Sequence, residues 1–136
     1  MVRLRQDDNE RSLMTESVRA SRGKLRRSRA ALEDAIERAT SSGEKAIALY
    51  ELALFHDNNS REAEAAPFYQ RAIRTGLPTN LEAQALAWLA SSLFKIGDPK
   101  GAMAQIRRTR EIAKSRDLQE FLDRLEAHIN RASRNS

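Results

Sequence analysis

Apolar residues recur at intervals of three and four through the middle of the chain, which predicts amphipathic helices. The first series shares one helical face and consists of Ala46, Leu49, Leu52, Ala53 and His56. The polar stretch 57–60 interrupts it and predicts a turn. A second series follows, made of Ala65, Phe68, Tyr69, Ala72 and Ile73. Gly76, Leu77 and Pro78 then predict a helix end, because glycine suits the left-handed position past the last turn and proline often follows.

The same pattern then occurs again further along the chain. Its first helix is marked by Leu86, Leu89, Ala90 and Leu93. Gly97, Asp98 and Pro99 form the next turn, with Asp98 as the expected N-cap and Pro99 at the first helical position. Its second helix is marked by Ala102, Ile106 and Thr109. Aligning Leu52-Ala53 with Leu89-Ala90 gives a repeat period of 37 residues.

Capping boxes set the expected starts of several helices. The pairs with the required spacing are Ser41 with Glu44, Thr79 with Glu82, and Asp117 with Glu120. These signals predict helices over about 43–57, 61–76, 80–96, 99–114 and 117–132, and a narrow stripe that includes Leu25, Leu32 and Ile36 predicts another over about 24–40. We therefore expect an all-α helical domain over 24–136. It follows a basic N-terminal arm over 1–23 that is partly disordered or helical.

The repeated pattern resembles the tetratricopeptide repeat, a helix–turn–helix unit with small residues where its two helices touch. The residues that carry the resemblance are Leu49, Leu52-Ala53, His56, Ala65, Tyr69, Ala72, Leu77-Pro78, and then Leu86, Leu89-Ala90, Leu93, Gly97, Ala102, Ile106, Thr109. The stretch also resembles small bacterial proteins built from a few such repeats.

This resemblance implies a right-handed superhelix of antiparallel helical hairpins, an α-solenoid of about six helices. Its repeats would span about 46–79 and 83–116, with end helices over about 24–40 and 117–132. The apolar stripe of the last helix comprises Leu118, Phe121, Leu122, Leu125 and Ile129. Three features depart from the family pattern: the period of 37 instead of about 34, Ser60 at the turn glycine of the first copy, and Thr109 at a usual alanine.

Composition and charge narrow the class of protein. The 136 residues include no cysteine, which excludes disulfides and cysteine-based metal sites. No apolar run approaches the length of a membrane span, and the charged N-terminus lacks a signal-peptide core. We therefore expect a cytoplasmic protein with no membrane association. The net charge of +5 is uneven, with +5 over 1–29, −3 over 30–106 and +3 over 107–136.

Candidate chemistry is sparse. His56 and His128 are the two histidines, too few for a three-histidine metal site, and His56 is expected to pack inside its hairpin. The stretch 57–62 resembles the start of a calcium loop but lacks the required glycine and closing glutamate. There is no phosphate-binding glycine loop and no nucleophile elbow. We expect no enzyme, no cofactor and no metal.

The family resemblance implies a concave face, lined by the first helix of each hairpin, that binds a protein or peptide. On this chain the matching positions are Ile47, Tyr50, Leu54, Asn58, Gln84, Ala87, Ser91, Phe94 and Lys95. Tyr50 and Leu54 stand where some repeats hold a peptide carboxylate, so an apolar groove around Tyr50, Leu54 and Phe94 is expected instead. Two readings stay open: a partner segment binds there, or the protein's own N-terminal helix covers it. Trp88 is expected to pack in the core or between repeats.

Two further functions remain as alternatives. A basic patch of Arg19, Arg22, Lys24, Arg26, Arg27 and Arg29 could attract the phosphates of a nucleic acid. No aromatic residue lies within this patch to stack on a base, which favours acidic protein partners. A second cluster, at Arg107, Arg108 and Arg110, is expected on the convex side. The other alternative is a homo-oligomeric scaffold formed through a helix within 9–40.

Overall fold

Residues 28–135 of the protein are described by a computed structural model, and this part of the chain contains six α-helices and no β-strand. The helices are α1 (Arg29–Arg38), α2 (Ser42–Asn58), α3 (Glu62–Thr75), α4 (Thr79–Lys95), α5 (Pro99–Ile112) and α6 (Arg116–Arg134). For residues 28–135, the all-α prediction and the expectation of about six helices are confirmed. Predicted and observed ends agree within two residues from α2 to α6.

Two helical hairpins form the centre of the fold. Helix α2 packs most extensively on α3, and α4 on α5, while α3 and α4 join the two hairpins. Helix α1 packs on α2 at one end of the stack, and α6 packs on α4 and α5 at the other. The helices thus follow one another in space in the order of the chain, as in a solenoid.

Alanines allow the paired helices to approach closely. Ala53 and Ala65 in the first hairpin, and Ala90 and Ala102 in the second, have no solvent exposure. Larger side chains fill the space beside them, among them Leu49, Tyr69, Leu86 and Ile106, all nearly fully buried. Thr109, at the place of a usual alanine, is also buried, and its hydroxyl donates to the Gln105 carbonyl at 2.7 Å. This bond satisfies the polar atom that the substitution brings into the core.

The 37-residue period also describes the ends of the helices. Helices α2, α4 and α6 begin at residues 42, 79 and 116, and helices α1, α3 and α5 end at residues 38, 75 and 112. The turns match as well: the Arg61 N–H donates to the His56 carbonyl at 2.9 Å, and the Asp98 N–H donates to the Leu93 carbonyl at 2.8 Å. Helix α6 therefore begins a third copy of the pattern.

Several predicted caps are confirmed. The Ser41 hydroxyl accepts from the Glu44 N–H at 3.1 Å, and Asp98 Oδ1 accepts from the Gly101 N–H at 2.9 Å. Gly76 ends α3 with φ of 113°, the left-handed conformation that glycine adopts without steric cost. Ser28 caps α1 through the Ala31 N–H, so this helix begins at residue 29 and not at 24.

Two other caps were predicted at the wrong residue. Helix α4 already includes Thr79, with Pro78 before it and no side-chain cap. Pro78 has a fixed φ of −55° and leads directly into the helix, so Thr79 takes the first helical position. Helix α6 begins after Ser115, whose hydroxyl accepts from the Leu118 N–H at 3.3 Å, and Asp117 lies within the first turn.

Candidate functional site

The residues predicted to line a concave groove differ widely in exposure. Tyr50, Leu54, Ala87 and Ser91 are at most 5% exposed. Asn58, Gln84, Phe94 and Lys95 are half-buried, and Ile47 is exposed at 37%. The prediction of an open apolar groove around Tyr50, Leu54 and Phe94 is thus wrong for Tyr50 and Leu54, because neither reaches solvent.

Contacts between the hairpins account for the position of Tyr50. Its hydroxyl donates to Gln84 Oε1 at 2.9 Å and accepts from the Trp88 indole N–H at 3.1 Å. The Trp88 ring meets the Phe121 ring edge-on, with centroids 5.1 Å apart. A hydrogen bond from Trp88 to Tyr50 and a ring contact between Trp88 and Phe121 therefore link α2, α4 and α6. Trp88 packs between repeats, as the sequence predicts.

Within the described residues, an open groove lies between α1 and α2. Its volume is about 530 Å³, and it is lined by Ala31, Asp34, Ala35, Arg38, Ala39, Glu44, Ile47, Ala48 and Glu51. We call it the α1–α2 groove. The lining includes four alanines, Ile47 as its large apolar side chain, three carboxylates and one guanidinium.

Two hydrogen bonds from Thr40 favour the charged form of the Glu44 carboxylate, which lines this groove. Glu44 Oε1 accepts from the Thr40 backbone N–H and from the Thr40 hydroxyl, each at 2.9 Å. These two bonds, the backbone one first, hold the pKa of Glu44 below its ordinary value. Asp34 is paired with Arg38 at 2.8 Å along the exposed side of α1. The lining of the groove therefore combines apolar and charged side chains.

Equivalent faces of α4 and α6 are covered. A shift of 37 residues places Ile47, Ala48 and Glu51 on the positions of Gln84, Ala85 and Trp88 in α4, and of Phe121, Leu122 and Leu125 in α6. In α4 this face meets Tyr50 of the preceding first helix, and in α6 it meets Trp88. Ala85, Trp88, Phe121, Leu122 and Leu125 are each at most 5% exposed. On α2 the same face differs at Ile47, which is 37% exposed, and at Glu51, which is half-buried, while Ala48 is buried as its counterparts are.

Sequence reasoning included Ile47 but missed the rest of this groove. The signal was available in the same 37-residue alignment that located the two hairpins. Ile47 aligns with Gln84 and Phe121, both at contacts between successive first helices. On α2 the same alignment marks the Ile47 face as one that a preceding first helix would contact. In chain order that helix would come before α1.

The predicted basic patch lies largely outside the described residues. Arg19, Arg22, Lys24, Arg26 and Arg27 precede residue 28, and Arg29 pairs with Glu33 at 3.0 Å. Most of the 9–40 stretch predicted to form oligomers also lies before residue 28.

In the second arginine cluster, Arg107 and Arg108 are exposed, while Arg110 binds Asp123 at 3.0 Å and Glu126 at 2.8 Å across the α5–α6 contact.

His56 is enclosed in the first hairpin. It is 1% exposed, stacks on Phe68 with ring centroids 5.6 Å apart, and accepts from Arg61 Nε at its Nδ1 over 3.2 Å. Burial lowers its pKa below the ordinary value.

Within residues 28–135, no group of three His, Asp or Glu residues is arranged to hold a metal ion. No helix in that range has the length and apolar character to cross a membrane.

Comparison with family models decides the family. The model described as tetratricopeptide repeat matches residues 46–133, well over half of the 136 residues. The chain belongs to the tetratricopeptide-repeat family. The match extends through α6, beyond the two hairpins in which the resemblance was first seen, and agrees with α6 starting in register with α2 and α4. Searches of curated proteins and of solved structures returned no match.

Membership of the tetratricopeptide-repeat family indicates the general class of function. Tetratricopeptide repeats are in general protein-interaction modules without catalytic activity. Helical repeats bind partners through surfaces that stacking leaves open. In the described part of this chain, the α1–α2 groove lies on the side of α2 whose equivalents on α4 and α6 contact the preceding first helix.

Proposed function

We propose that this protein is a non-catalytic interaction module that binds a helical segment of a partner protein in the α1–α2 groove. One observation carries the proposal: Ile47 on α2 is 37% exposed and no helix within residues 28–135 covers it, while its counterparts on α4 and α6 contact a preceding first helix. A bound helix would make the contacts on α2 that α2 itself makes on α4.

The chemistry of the groove favours an amphipathic helix. Ile47, Ala31, Ala35 and Ala48 offer a surface of small and medium apolar side chains, on which a helix backbone can lie close. The lining carries three carboxylates, including that of Glu44, against one guanidinium, which favours lysine or arginine beside the apolar stripe of the partner. Within this chain, the equivalent contacts between first helices are made by Tyr50 with Trp88 and by Trp88 with Phe121. We therefore expect the partner helix to place a large apolar or aromatic residue against Ile47.

Affinity capture with the full chain tests the proposal. Three baits are compared: the native chain, Ile47→Asp and Ile96→Asp. Ile96 is the matched control, because it is the other exposed large apolar side chain among the described residues, at 45% exposure, and lies outside the groove. Circular dichroism establishes that both variants keep the native helix content.

A charge at position 47 should reduce the recovery of a specific partner by about tenfold or more, since a carboxylate would be buried against an apolar anchor. The same partner should be recovered equally by native chain and Ile96→Asp. A partner that binds Ile47→Asp as well as the native chain would place the interaction on another surface.

A further inference from the structure

The α1–α2 groove raises the question of which helix would fill it if the repeat continued toward the N-terminus. In the two complete hairpins, the first helix spans 42–58 and 79–95, and the second ends at residues 75 and 112. Helix α1 ends at residue 38, one period earlier, so it occupies the place of a second helix. Its buried Leu32 lies one period before Tyr69, which in turn lies one period before Ile106.

The sequence before α1 also follows the period. Ser60 and Gly97 have positive φ in the turns inside the two complete hairpins, and 37 residues before Ser60 the chain has Gly23. Glycine is the residue that best tolerates this conformation. A first helix one period before α2 would span residues 5–21, and the chain has 27 residues before Ser28, enough for that helix and its turn.

We propose that residues 5–21 of this chain are the internal occupant of the α1–α2 groove and compete there with the partner helix; this inference rests on the proposed function. The alignment gives a specific contact. Tyr50 reaches Gln84 and Trp88, and one period earlier these three positions are Leu13, Ile47 and Glu51. By this alignment, Leu13 is the residue of the segment that faces Ile47 and Glu51 when the segment is bound.

The internal occupant is held more weakly than the helices of the complete hairpins. The positions of α2 that pack inside its own hairpin are Ala46, Leu49, Ala53 and His56, all at most 1% exposed. One period earlier they are Asn9, Ser12, Glu16 and Arg19. Polar residues at these places bury little apolar surface against α1. A partner helix with apolar residues at the corresponding positions can therefore displace the segment.

Disulfide trapping in the full chain tests the occupancy, and the absence of native cysteine leaves only the introduced pair to react. The test variant is Leu13→Cys with Glu51→Cys. The matched control is Thr15→Cys with Glu51→Cys, because Thr15 lies about 200° around a helix from Leu13 at nearly the same distance along the chain. Oxidation is followed by non-reducing electrophoresis and mass spectrometry at several protein concentrations.

The Leu13–Glu51 pair should form an intramolecular disulfide at least about tenfold faster than the control, at a rate independent of protein concentration. Equal rates for the two pairs would overturn the proposal, since tethering alone would then explain the reaction. Disulfides that join two chains would also overturn it and assign the groove to a second copy.

The two proposals can fail separately. If the disulfide forms with the expected preference but partner recovery is the same for Ile47→Asp and the native chain, the groove serves only this chain. If the disulfide preference is absent but Ile47→Asp loses the partner, the interaction function stands and the internal competitor does not exist.

Discussion

Ser60 and Gly97 lie 37 residues apart and both adopt a positive φ, 61° for Ser60 and 93° for Gly97. The two residues occupy the same position in the turns of successive hairpins, where the following N–H donates back to the end of the first helix. Serine is therefore held in a backbone conformation that strongly favours glycine. The Ser60 hydroxyl is also buried and has no hydrogen-bond partner among the described residues.

Ser60→Gly should raise the free energy of unfolding by about 1 kcal/mol, because it removes both the steric cost at positive φ and an unsatisfied buried hydroxyl. Urea denaturation followed by circular dichroism measures the change. Gly97→Ser is the reciprocal variant and should lower stability by a similar amount. Unchanged stability in both variants would show that the turns do not impose this conformation in solution.

Pro67 lies inside α3, where it cannot donate the helical hydrogen bond that any other residue would make. The equivalent residue of the second hairpin is Ala104, and the side chain of Pro67 is exposed. Pro67→Ala should therefore stabilise the protein by about 1–3 kcal/mol without repacking the core. Thermal and urea unfolding of the two proteins test this, and a loss of stability would mean that the proline ring makes a favourable contact.

His56 makes stability depend on pH. Burial lowers its pKa in the folded protein, with Arg61 and Arg29 acting in the same direction and Glu64 and Glu33 opposing them. The unfolded chain therefore binds a proton more readily than the folded one. The contribution of neutral His56 is complete above a pH of about 6.5 and is lost as the pH falls below that value.

The matched variant is His56→Leu, since Leu93 occupies the same position in the second hairpin. Unfolding free energies measured between pH 7.5 and pH 5 should fall less steeply for the variant than for the native protein. Parallel curves would show that His56 does not titrate within this range. The comparison uses slopes and not absolute values, because the substitution also removes the hydrogen bond from Arg61.

Phe121 joins α6 to the rest of the stack through its edge-on contact with Trp88. Phe121→Ala should cost about 3–5 kcal/mol and loosen α6, because a buried aromatic ring is removed. Trp88 is the single tryptophan of the chain, so a red shift of its fluorescence reports the exposure of this contact. Arg124→Ala, on the exposed side of α6, is the control and should leave both emission and stability nearly unchanged.

Much of the fold could be predicted from local sequence. The spacing of Leu49 and Leu52, and of Leu86 and Leu89, located α2 and α4 because a buried helical face needs apolar residues every three to four positions. The N-caps of α4 and α6 were less predictable. Residues 115–117 offer two polar candidates, Ser115 and Asp117, and the path of the chain after α5 decides between them.

The exposure of individual site residues could not be read from the pattern. Tyr50 and Ile47 both lie on α2 in positions expected to face a groove, yet one is buried and the other exposed. The difference comes from contacts between hairpins, since Gln84 and Trp88 approach Tyr50 from α4. Helical periodicity describes one helix at a time and carries no information on which faces a neighbouring hairpin covers.

A photoreactive amino acid at position 47, with position 96 as the control, tests the helix-binding role of the α1–α2 groove most directly. Irradiation of the full chain in a cell extract, followed by mass spectrometry of the cross-linked peptides, identifies what lies on each residue. We expect position 47 to cross-link to an amphipathic helical segment, from a partner or from residues 5–21 of this chain, at several times the yield of position 96. Yields at position 47 no higher than those at position 96 would contradict a helix-binding groove.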